Sequence, residues 1–119
     1  MHEMALMGDI VDIVWQDASR KGIRKVNKID LLVGELSQAM PDALLMAFEI
    51  YKEQYASIFS DGAELVIHHE EAIAKCCVCE HEYRPDRKIT ICPQCGIPTG
   101  NLISGEAFQV QSYEGGQSF

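Results

Sequence analysis

The sequence predicts an α+β fold in which two helices lie on a small three-stranded sheet and a small module is inserted before the last strand. Three observations predict it. Two segments have the periodicity of amphipathic helices, and three others have the character of strands. Between the second and third strands the chain is rich in Cys, Pro and Gly and poor in aliphatic residues. The length of 119 residues suits one ordinary domain, or a small domain with such an appended module.

Residues 4–21 are predicted to form the first helix, with acidic and amide side chains on its outer face. Its apolar stripe repeats at helical spacing through Leu6, Ile10, Ile13 and Val14, and is widened by Met7, Val11 and Ala18. Arg20 and Lys21 suit the negative end of the helix dipole, and Gly22 is a natural residue for the position just after the helix.

The second helix is predicted from Pro41 to about Phe59, because proline is tolerated in the first turn of a helix. Its apolar face is marked by Leu44, Phe48, Tyr51 and Tyr55. The strands are predicted at about Val26–Leu36, Glu64–Ala74 and Ala107–Tyr113, with a turn at Asp61-Gly62 before the second strand. Residues 114–119 are expected to fray.

The last strand is too short to be stable alone, so we expect it to return and pair with the first two strands. The fold then has two parts. Residues 1–74 together with about 104–119 form an α/β domain that is discontinuous in sequence, and residues 75–103 form the inserted module.

The chain carries a net charge of −8, and 47% of its residues are hydrophobic. That hydrophobic fraction is typical of globular proteins. The charge disfavours a nucleic-acid partner, because such binding depends on neutralising phosphates with Lys and Arg. Half of the ten basic residues nevertheless lie between Arg20 and Lys28. We interpret this basic cluster as a helix end followed by a solvated loop rather than as a binding patch.

The cysteine usage and the N-terminus together predict a cytoplasmic protein without a membrane partner. The first residues lack the basic start and long apolar core of a secretory signal. No apolar run approaches the ~18 residues needed to span a bilayer. There are five cysteines, an odd number, and four of them lie in C-x-x-C pairs, which is typical of a metal site rather than of disulfides.

The two pairs have the spacing C-x2-C-x12-C-x2-C, with the four thiols at Cys76, Cys79, Cys92 and Cys95. This pattern predicts a zinc-ribbon-like, rubredoxin-like module, with an iron–sulfur centre as the main alternative. Because all four positions are filled by protein, the site is closed to a catalytic water and is structural. Gly96 fits the left-handed turn that follows such a pair, whereas Glu80 at the equivalent place would cost about 1 kcal/mol.

Cys77 and His81 also lie in this module, and we interpret both as residues beside the site rather than ligands. The module has too few aliphatic side chains to build a core of its own, so metal binding would supply its folding free energy.

A second metal site is suggested by Met1-His2. The Met1 amine and the His2 backbone nitrogen can close a five-membered chelate, and the His2 backbone nitrogen and Nδ1 a six-membered one. Three nitrogens in a plane suit Ni(II) or Cu(II). Glu3 is the adjacent candidate for the fourth position, through its amide, carbonyl or carboxylate. The amine must lose its proton, so affinity should fall below the α-amino pKa of about 7.7–8.0. A frayed terminus is the competing interpretation.

Several motifs of the chain resemble the HypA/HybF family of nickel-insertion accessory proteins for NiFe hydrogenase maturation. They are Met1-His2-Glu3-Met4 opening an amphipathic helix, Gly34-Glu35-Leu36, Ala47-Phe48, and the paired C-x-x-C before a final strand. The resemblance covers nearly the whole chain and implies a nickel-binding α/β domain joined to a zinc domain.

The resemblance also implies site residues and partners. His2, with the Met1 amine and Glu3, looks like the nickel site, and the four paired cysteines match the zinc ligands. The implied partners are a HypB-type GTPase and the precursor of the hydrogenase large subunit. The resemblance does not identify the fourth nickel ligand, for which Asp42 and His81 are candidates. The oligomeric state also stays open, and a homodimer is one of the possibilities.

The predicted function is therefore a metallochaperone, not an enzyme, with structural Zn²⁺ and with Ni²⁺ as transient cargo. The alternative is a zinc-stabilised protein-interaction adaptor with no nickel role. A zinc-ribbon nucleic-acid adaptor is disfavoured because residues 75–95 carry four basic and three acidic side chains, and a Zn²⁺ held by four thiolates adds about −2. A dithiol redox enzyme predicts one reactive pair, whereas this chain has two pairs at metal spacing.

Overall fold

The computed structural model describes residues 3–85 and 91–116. It contains α1 (Glu3–Arg20), β1 (Lys25–Gly34), α2 (Pro41–Gln54), β2 (Phe59–Glu70), β3 (Ile73–Cys76), β4 (Glu82–Tyr83), β5 (Gly100–Ser104) and β6 (Phe108–Gly116). The strands form two three-stranded sheets, with the orders β2-β1-β6 and β4-β3-β5. The predicted α+β class, with two helices, a three-stranded sheet and a zinc-ribbon-like module, is confirmed.

The chain divides into two compact units. The first comprises residues 1–32, 39–68 and 109–119, and the second comprises residues 33–38 and 69–108. The predicted folding domains, 1–74 with about 104–119 and 75–103, stay a prediction, since these units are defined by proximity and not by independent folding. In the described part of the chain, no helix has the length and apolar character needed to cross a membrane.

The sheet of the first unit is mixed. Near the start of β1 the N–H of Val26 donates to the carbonyl of Ile58 at 2.8 Å, so β1 and β2 start side by side and run parallel, joined through α2. The N–H of Arg24 donates to the carbonyl of Gly116 at 2.9 Å, so β6 ends where β1 begins and runs antiparallel to it. The predicted return of the last strand is thus found.

Helix α1 packs against α2 and ends as its sequence predicts. Gly22 has φ 74°, the N–H of Ile23 donates to the carbonyl of Ala18 at 2.9 Å, and the N–H of Gly22 donates to that of Ser19 at 3.3 Å. This is a Schellman motif. The buried residues of α1 are Met7, Ile10, Val11, Val14 and Ala18. Leu6 is half-buried and Ile13 is exposed, so the predicted stripe is wrong at Ile13.

Helix α2 ends at Gln54, earlier than predicted. Tyr55 leaves the helical conformation with φ −117°, and Phe59 begins β2 and packs edge-on against Phe48 with ring centroids 5.4 Å apart. The predicted turn at Asp61-Gly62 lies inside β2, and the single strand predicted over Glu64–Ala74 is divided between β2 and β3. The aromatic contact in the core outweighs the local turn preference of Asp-Gly.

The second unit is built on β3, which pairs antiparallel with β4 and with β5. Cys76, the last residue of β3, lies opposite Gly100 of β5. Strand β5 was not predicted, because its sequence starts with Gly-Asn and two of its five residues are exposed. Strand β6 continues to Gly116, so the predicted fraying is wrong for residues 114–116; residues 117–119 lie outside the described ones.

Candidate metal centre

Each C-x-x-C segment forms a tight turn closed by a backbone hydrogen bond. The N–H of Glu80 donates to the carbonyl of Cys76 at 3.0 Å, and the N–H of Gly96 donates to that of Cys92 at 2.8 Å. Both turns end on a residue with positive φ, 62° at Glu80 and 72° at Gly96. Glycine adopts this conformation without strain, whereas Glu80 costs about 1–2 kcal/mol. The left-handed turn expected at Gly96 is found, and Glu80 adopts it as well.

The four thiols of Cys76, Cys79, Cys92 and Cys95 converge on one point, because their ligand atoms all lie within 4.8 Å of one another. The Sγ atoms of Cys76 and Cys95 are 3.8 Å apart, and those of Cys79 and Cys92 are 3.6 Å apart. Four sulfurs at about 2.3 Å from a tetrahedral zinc ion are about 3.8 Å from one another. The cluster is therefore the right size for a metal ion of this kind. Among the described residues no second group of this type is found.

Backbone N–H groups point at the sulfurs, as expected for thiolates. Val78 and Cys79 each donate to Sγ of Cys76 at 3.4 Å, and Cys95 donates to Sγ of Cys92 at 3.4 Å. Cys76 and Cys92 are fully buried, while Cys79 is exposed and Cys95 half-buried. One side of the cluster is thus fixed inside the unit and the other faces solvent.

The thiols differ in acidity. The pKa of Cys76 is lowered to about 6. The largest cause is the hydrogen bond from the N–H of Cys79, and the second is the hydroxyl of Thr99, 2.9 Å from Sγ. The pKa of Cys95 is raised to about 12, first because of its contact with the sulfur of Cys76. Four thiols this close cannot all lose their protons without a cation, because the thiolates would repel one another. A bound divalent cation removes this repulsion and deprotonates the thiols. Thr99 was not predicted as a site residue, because nothing in the spacing of the cysteines indicates it.

Cys77 and His81 do not belong to the group of four. Cys77 is exposed, and its backbone N–H donates to the carbonyl of Thr99 at 2.9 Å. The carbonyl of His81 accepts from the N–H of Cys76 at 3.0 Å, and its ring is stacked on that of Tyr83 with centroids 6.2 Å apart. Both residues support the first turn through backbone contacts.

The segment Gly34-Glu35-Leu36 is bound into the same unit as the cysteines. Arg84 donates from Nη2 to both carboxylate oxygens of Glu35, at 2.8 and 3.0 Å. The N–H of Ala72 donates to Oε1 of Glu35 at 2.9 Å and, with Arg84, lowers the pKa of this carboxyl. This ion pair joins residues 49 positions apart, which sequence reasoning did not find.

Of the residues predicted to bind nickel, Met1 and His2 lie outside the described residues. Glu3 is the first residue of α1, and its carboxylate accepts a hydrogen bond from the backbone N–H of Met40 at 3.3 Å. Asp42 lies in the first turn of α2, in the same unit as Glu3. His81 lies in the second unit.

Comparison with known proteins gives the family. The sequence profile of the family described as "Hydrogenase/urease nickel incorporation, metallochaperone, hypA" matches residues 1–115. This chain belongs to the HypA family. Membership makes it a metallochaperone and maturation factor, not an enzyme, as the sequence predicted.

Curated HypA relatives are similar along almost their whole length. The hydrogenase maturation factor HypA of Moorella thermoacetica is 32% identical over 115 residues, which are 97% of this chain and 99% of the relative. That of Chlorobium luteolum is 33% identical over 112 residues, 94% of this chain and 93% of the relative.

Solved HypA structures have the same fold. The solution structure of the Ni metallochaperone HypA from Helicobacter pylori matches with a TM-score of 0.68 and 22% identity, covering 99% of this chain and all of the other. A second structure, described as the solution structure of HypA protein, matches with a TM-score of 0.70 and 22% identity over 99% of this chain and 98% of the other.

Proposed function

We propose that this HypA-family chain binds Ni(II) at its N-terminus, holds a structural zinc ion in its four-cysteine cluster, and delivers the nickel to the large subunit of a NiFe hydrogenase. Membership in a nickel-incorporation family is the observation that carries this proposal. The residues assigned to nickel are His2, the Met1 amine and Glu3. Those assigned to zinc are Cys76, Cys79, Cys92 and Cys95.

The geometry of the thiols supports zinc as the resident ion. The Sγ separations of 3.6 and 3.8 Å agree with the spacing in a tetrahedral four-thiolate zinc site. Four protein ligands leave no open position for a substrate or a water. Zinc in this site would fix the second unit and take no part in the transfer of nickel.

The chemistry of the N-terminal residues supports nickel as the cargo. An amine, a backbone nitrogen and an imidazole nitrogen from two successive residues give a planar set that a d⁸ ion prefers. Binding displaces protons from the amine and from the backbone nitrogen, so affinity rises with pH. Such a terminal chelate is anchored at few points, and its ligands can leave one at a time when a partner offers a better site.

Two partners follow from this role. The acceptor is the precursor of the hydrogenase large subunit, and a HypB-type GTPase supplies the energy for any nucleotide-driven step. The sequence of this chain has no phosphate-binding glycine-rich motif that would let it supply that energy itself.

Calorimetric titration of nickel into untagged, zinc-loaded protein tests the proposal. We expect the His2→Ala variant to lose at least about a hundredfold in affinity, equivalent to about 2.7 kcal/mol. The matched control is His69→Ala, which removes an exposed histidine of the other unit that is not a candidate ligand and should leave nickel binding unchanged. Equal nickel binding by wild type and His2→Ala would refute the N-terminal site. Absence of tight binding in wild type would leave the zinc-stabilised adaptor as the function.

A further inference from the structure

Strand β6 forms an open edge of the sheet in the first unit. The sheet order is β2-β1-β6, so in the described part of the chain β6 pairs with β1 on one side only. The strand spans nine residues, Phe108–Gly116. Its outer backbone N–H and C=O groups are therefore available to an additional strand.

A cleft of about 510 Å³ runs along this edge. On the strand side it is lined by four consecutive residues, Val110, Gln111, Ser112 and Tyr113. Successive side chains of a strand point to opposite faces of the sheet. Accordingly, Tyr113 donates to Asp17 of α1, while Ser112 donates to Asp30. Because the four side chains alternate between the two faces, part of the lining of the cleft comes from the backbone of β6.

The opposite wall of the cleft is apolar and comes from α1 and the residues after it. It includes Ile13, Val14 and Ile23. Ile13 lies at a core position of the helical pattern, yet it is 58% exposed. A large aliphatic side chain left uncovered beside an open strand edge gives an incoming strand a surface on which to bury alternate side chains.

The rim of the cleft is basic. Arg20 and Lys21 line it, with side chains 77% and 62% exposed. Asp17 is the acidic group beside them, 3.7 Å from Arg20 and 2.9 Å from Lys21. Two cations and one carboxylate leave a local charge of +1 in a chain whose net charge is −8. The basic cluster of the sequence thus includes the rim of a cleft.

We propose that the cleft between α1 and β6 binds an extended, acidic segment of a partner protein, which adds to β6 as a fourth strand. Backbone hydrogen bonds along β6 would hold the segment, apolar side chains would contact Ile13 and Ile23, and an acidic side chain would pair with Arg20. This docking site goes beyond the nickel role and uses none of the proposed metal ligands. A second copy of this chain is a poorer occupant, because two-fold pairing through β6 would bring a second Arg20 and Lys21 to the rim.

The probe is a fluorescein-labelled synthetic octapeptide in which valine and glutamate alternate. We expect it to bind the full, zinc-loaded chain, with fluorescence anisotropy as the readout, and to shift the amide resonances of residues 108–116. A peptide in which lysine replaces glutamate should bind at least about tenfold more weakly. Two further peptides carry N-methyl groups on alternate residues, one on the odd and one on the even positions. At least one of them should lose binding, because it keeps the side chains but lacks the backbone N–H groups that face β6.

Two variants of the protein complete the test. Arg20→Glu should weaken the acidic peptide about five- to tenfold, whereas Arg24→Glu makes the same charge change outside the cleft and should have little effect. Ile13→Ser should also weaken binding. Because Ile13 is exposed, this substitution should leave the protein folded. Equal binding of the acidic and basic peptides, or shifts confined to residues outside 108–116, would overturn the proposal. A dimer whose formation blocks the cleft would also overturn it, since the occupant would then be a second copy.

Discussion

Glu3 and Met40 join the starts of the two helices of the first unit: the carboxylate of Glu3 accepts a hydrogen bond from the backbone N–H of Met40 at 3.3 Å. Met40 is the N-cap of α2, and no side-chain hydrogen bond from Met40 itself caps that helix. A residue 37 positions away thus accepts from the backbone at the start of α2. Glu3 therefore has a structural role whether or not it binds nickel.

Glu3→Ala should lower the free energy of unfolding by about 0.5–1 kcal/mol, because the N–H of Met40 loses its acceptor. Urea denaturation of the zinc-loaded protein measures this, with Asp9→Ala, an exposed acidic position on the same helix, as the control. We expect nickel affinity to fall much less than in His2→Ala, because alanine keeps the backbone amide and carbonyl through which Glu3 can bind nickel. A Glu3→Ala variant with unchanged stability and no nickel binding would show instead that the carboxylate of Glu3 is a nickel ligand and is not needed as the acceptor for Met40.

Gly34 and Gly105 pack so closely that neither tolerates a side chain. A Cβ at Gly34 would overlap the carbonyl of Gly105, and a Cβ at Gly105, where φ is 113°, would lie 2.6 Å from Cα of Ala72. Gly105→Ala should therefore cost at least about 2 kcal/mol of stability. Gly62→Ala is the control, because a Cβ there meets open space. Similar stability of the two variants would contradict the close packing.

Loss of one buried ligand of the proposed zinc ion should release the ion and unfold the second unit. Zinc binding contributes about 10–16 kcal/mol to modules of this kind, far more than their small cores. Cys92→Ser should therefore abolish zinc in native mass spectra and remove amide dispersion for residues 69–85 and 91–108. Cys77→Ser, which changes an exposed thiol outside the cluster, should retain both zinc and dispersion. A folded, zinc-free Cys92→Ser protein would contradict this account.

The hydroxyl of Tyr113 donates to the carboxylate of Asp17 at 2.5 Å and is the largest cause of the lowered pKa of Asp17. A carboxyl whose pKa is lowered by folding stabilises the protein at pH values above its usual pKa of 3.8. That stabilisation is lost as the pH falls through the lowered pKa of the folded state. Tyr113→Phe should raise the pKa of Asp17 and move its acid-sensitive window to higher pH.

The carboxyl-carbon chemical shift of Asp17, followed against pH, measures the change. Ser112→Ala is the control, because Ser112 donates to a different carboxyl, Asp30, whose pKa is lowered first by its hydrogen bond with His68 and then by that from Ser112. An unchanged titration of Asp17 in Tyr113→Phe would contradict the leading role of Tyr113 and leave Lys21, the second-largest cause, as the main one.

The sequence predicted the elements whose signals are local. The 3.6-residue period and Gly22 predicted α1 and its end, Pro41 predicted the start of α2, and the spacing of the C-x-x-C pairs predicted the cysteine cluster. These features depend on residues a few positions apart, where backbone preference and periodicity are informative.

The features that were missed depend on distant partners. Phe48 draws Phe59 into the core and so moves the start of β2 ahead of a turn-like Asp-Gly. The Arg84–Glu35 ion pair and the contact of Thr99 with Cys76 join segments that only the fold brings together. The exposure of Ile13 likewise depends on what the fold places beside α1, which no pattern within the helix indicates.

The most direct test of the N-terminal nickel site compares a chain that begins with a free Met1 amine with one that carries extra residues before Met1. The visible absorption of bound Ni(II) and the protons released on binding are measured for both. We predict that the free-terminus chain gives the spectrum of planar nickel with release of the amine proton, and that the extended chain loses this spectrum and binds weakly. Identical spectra and identical proton release from the two chains would contradict the account, because the nickel would then be bound without the terminal amine.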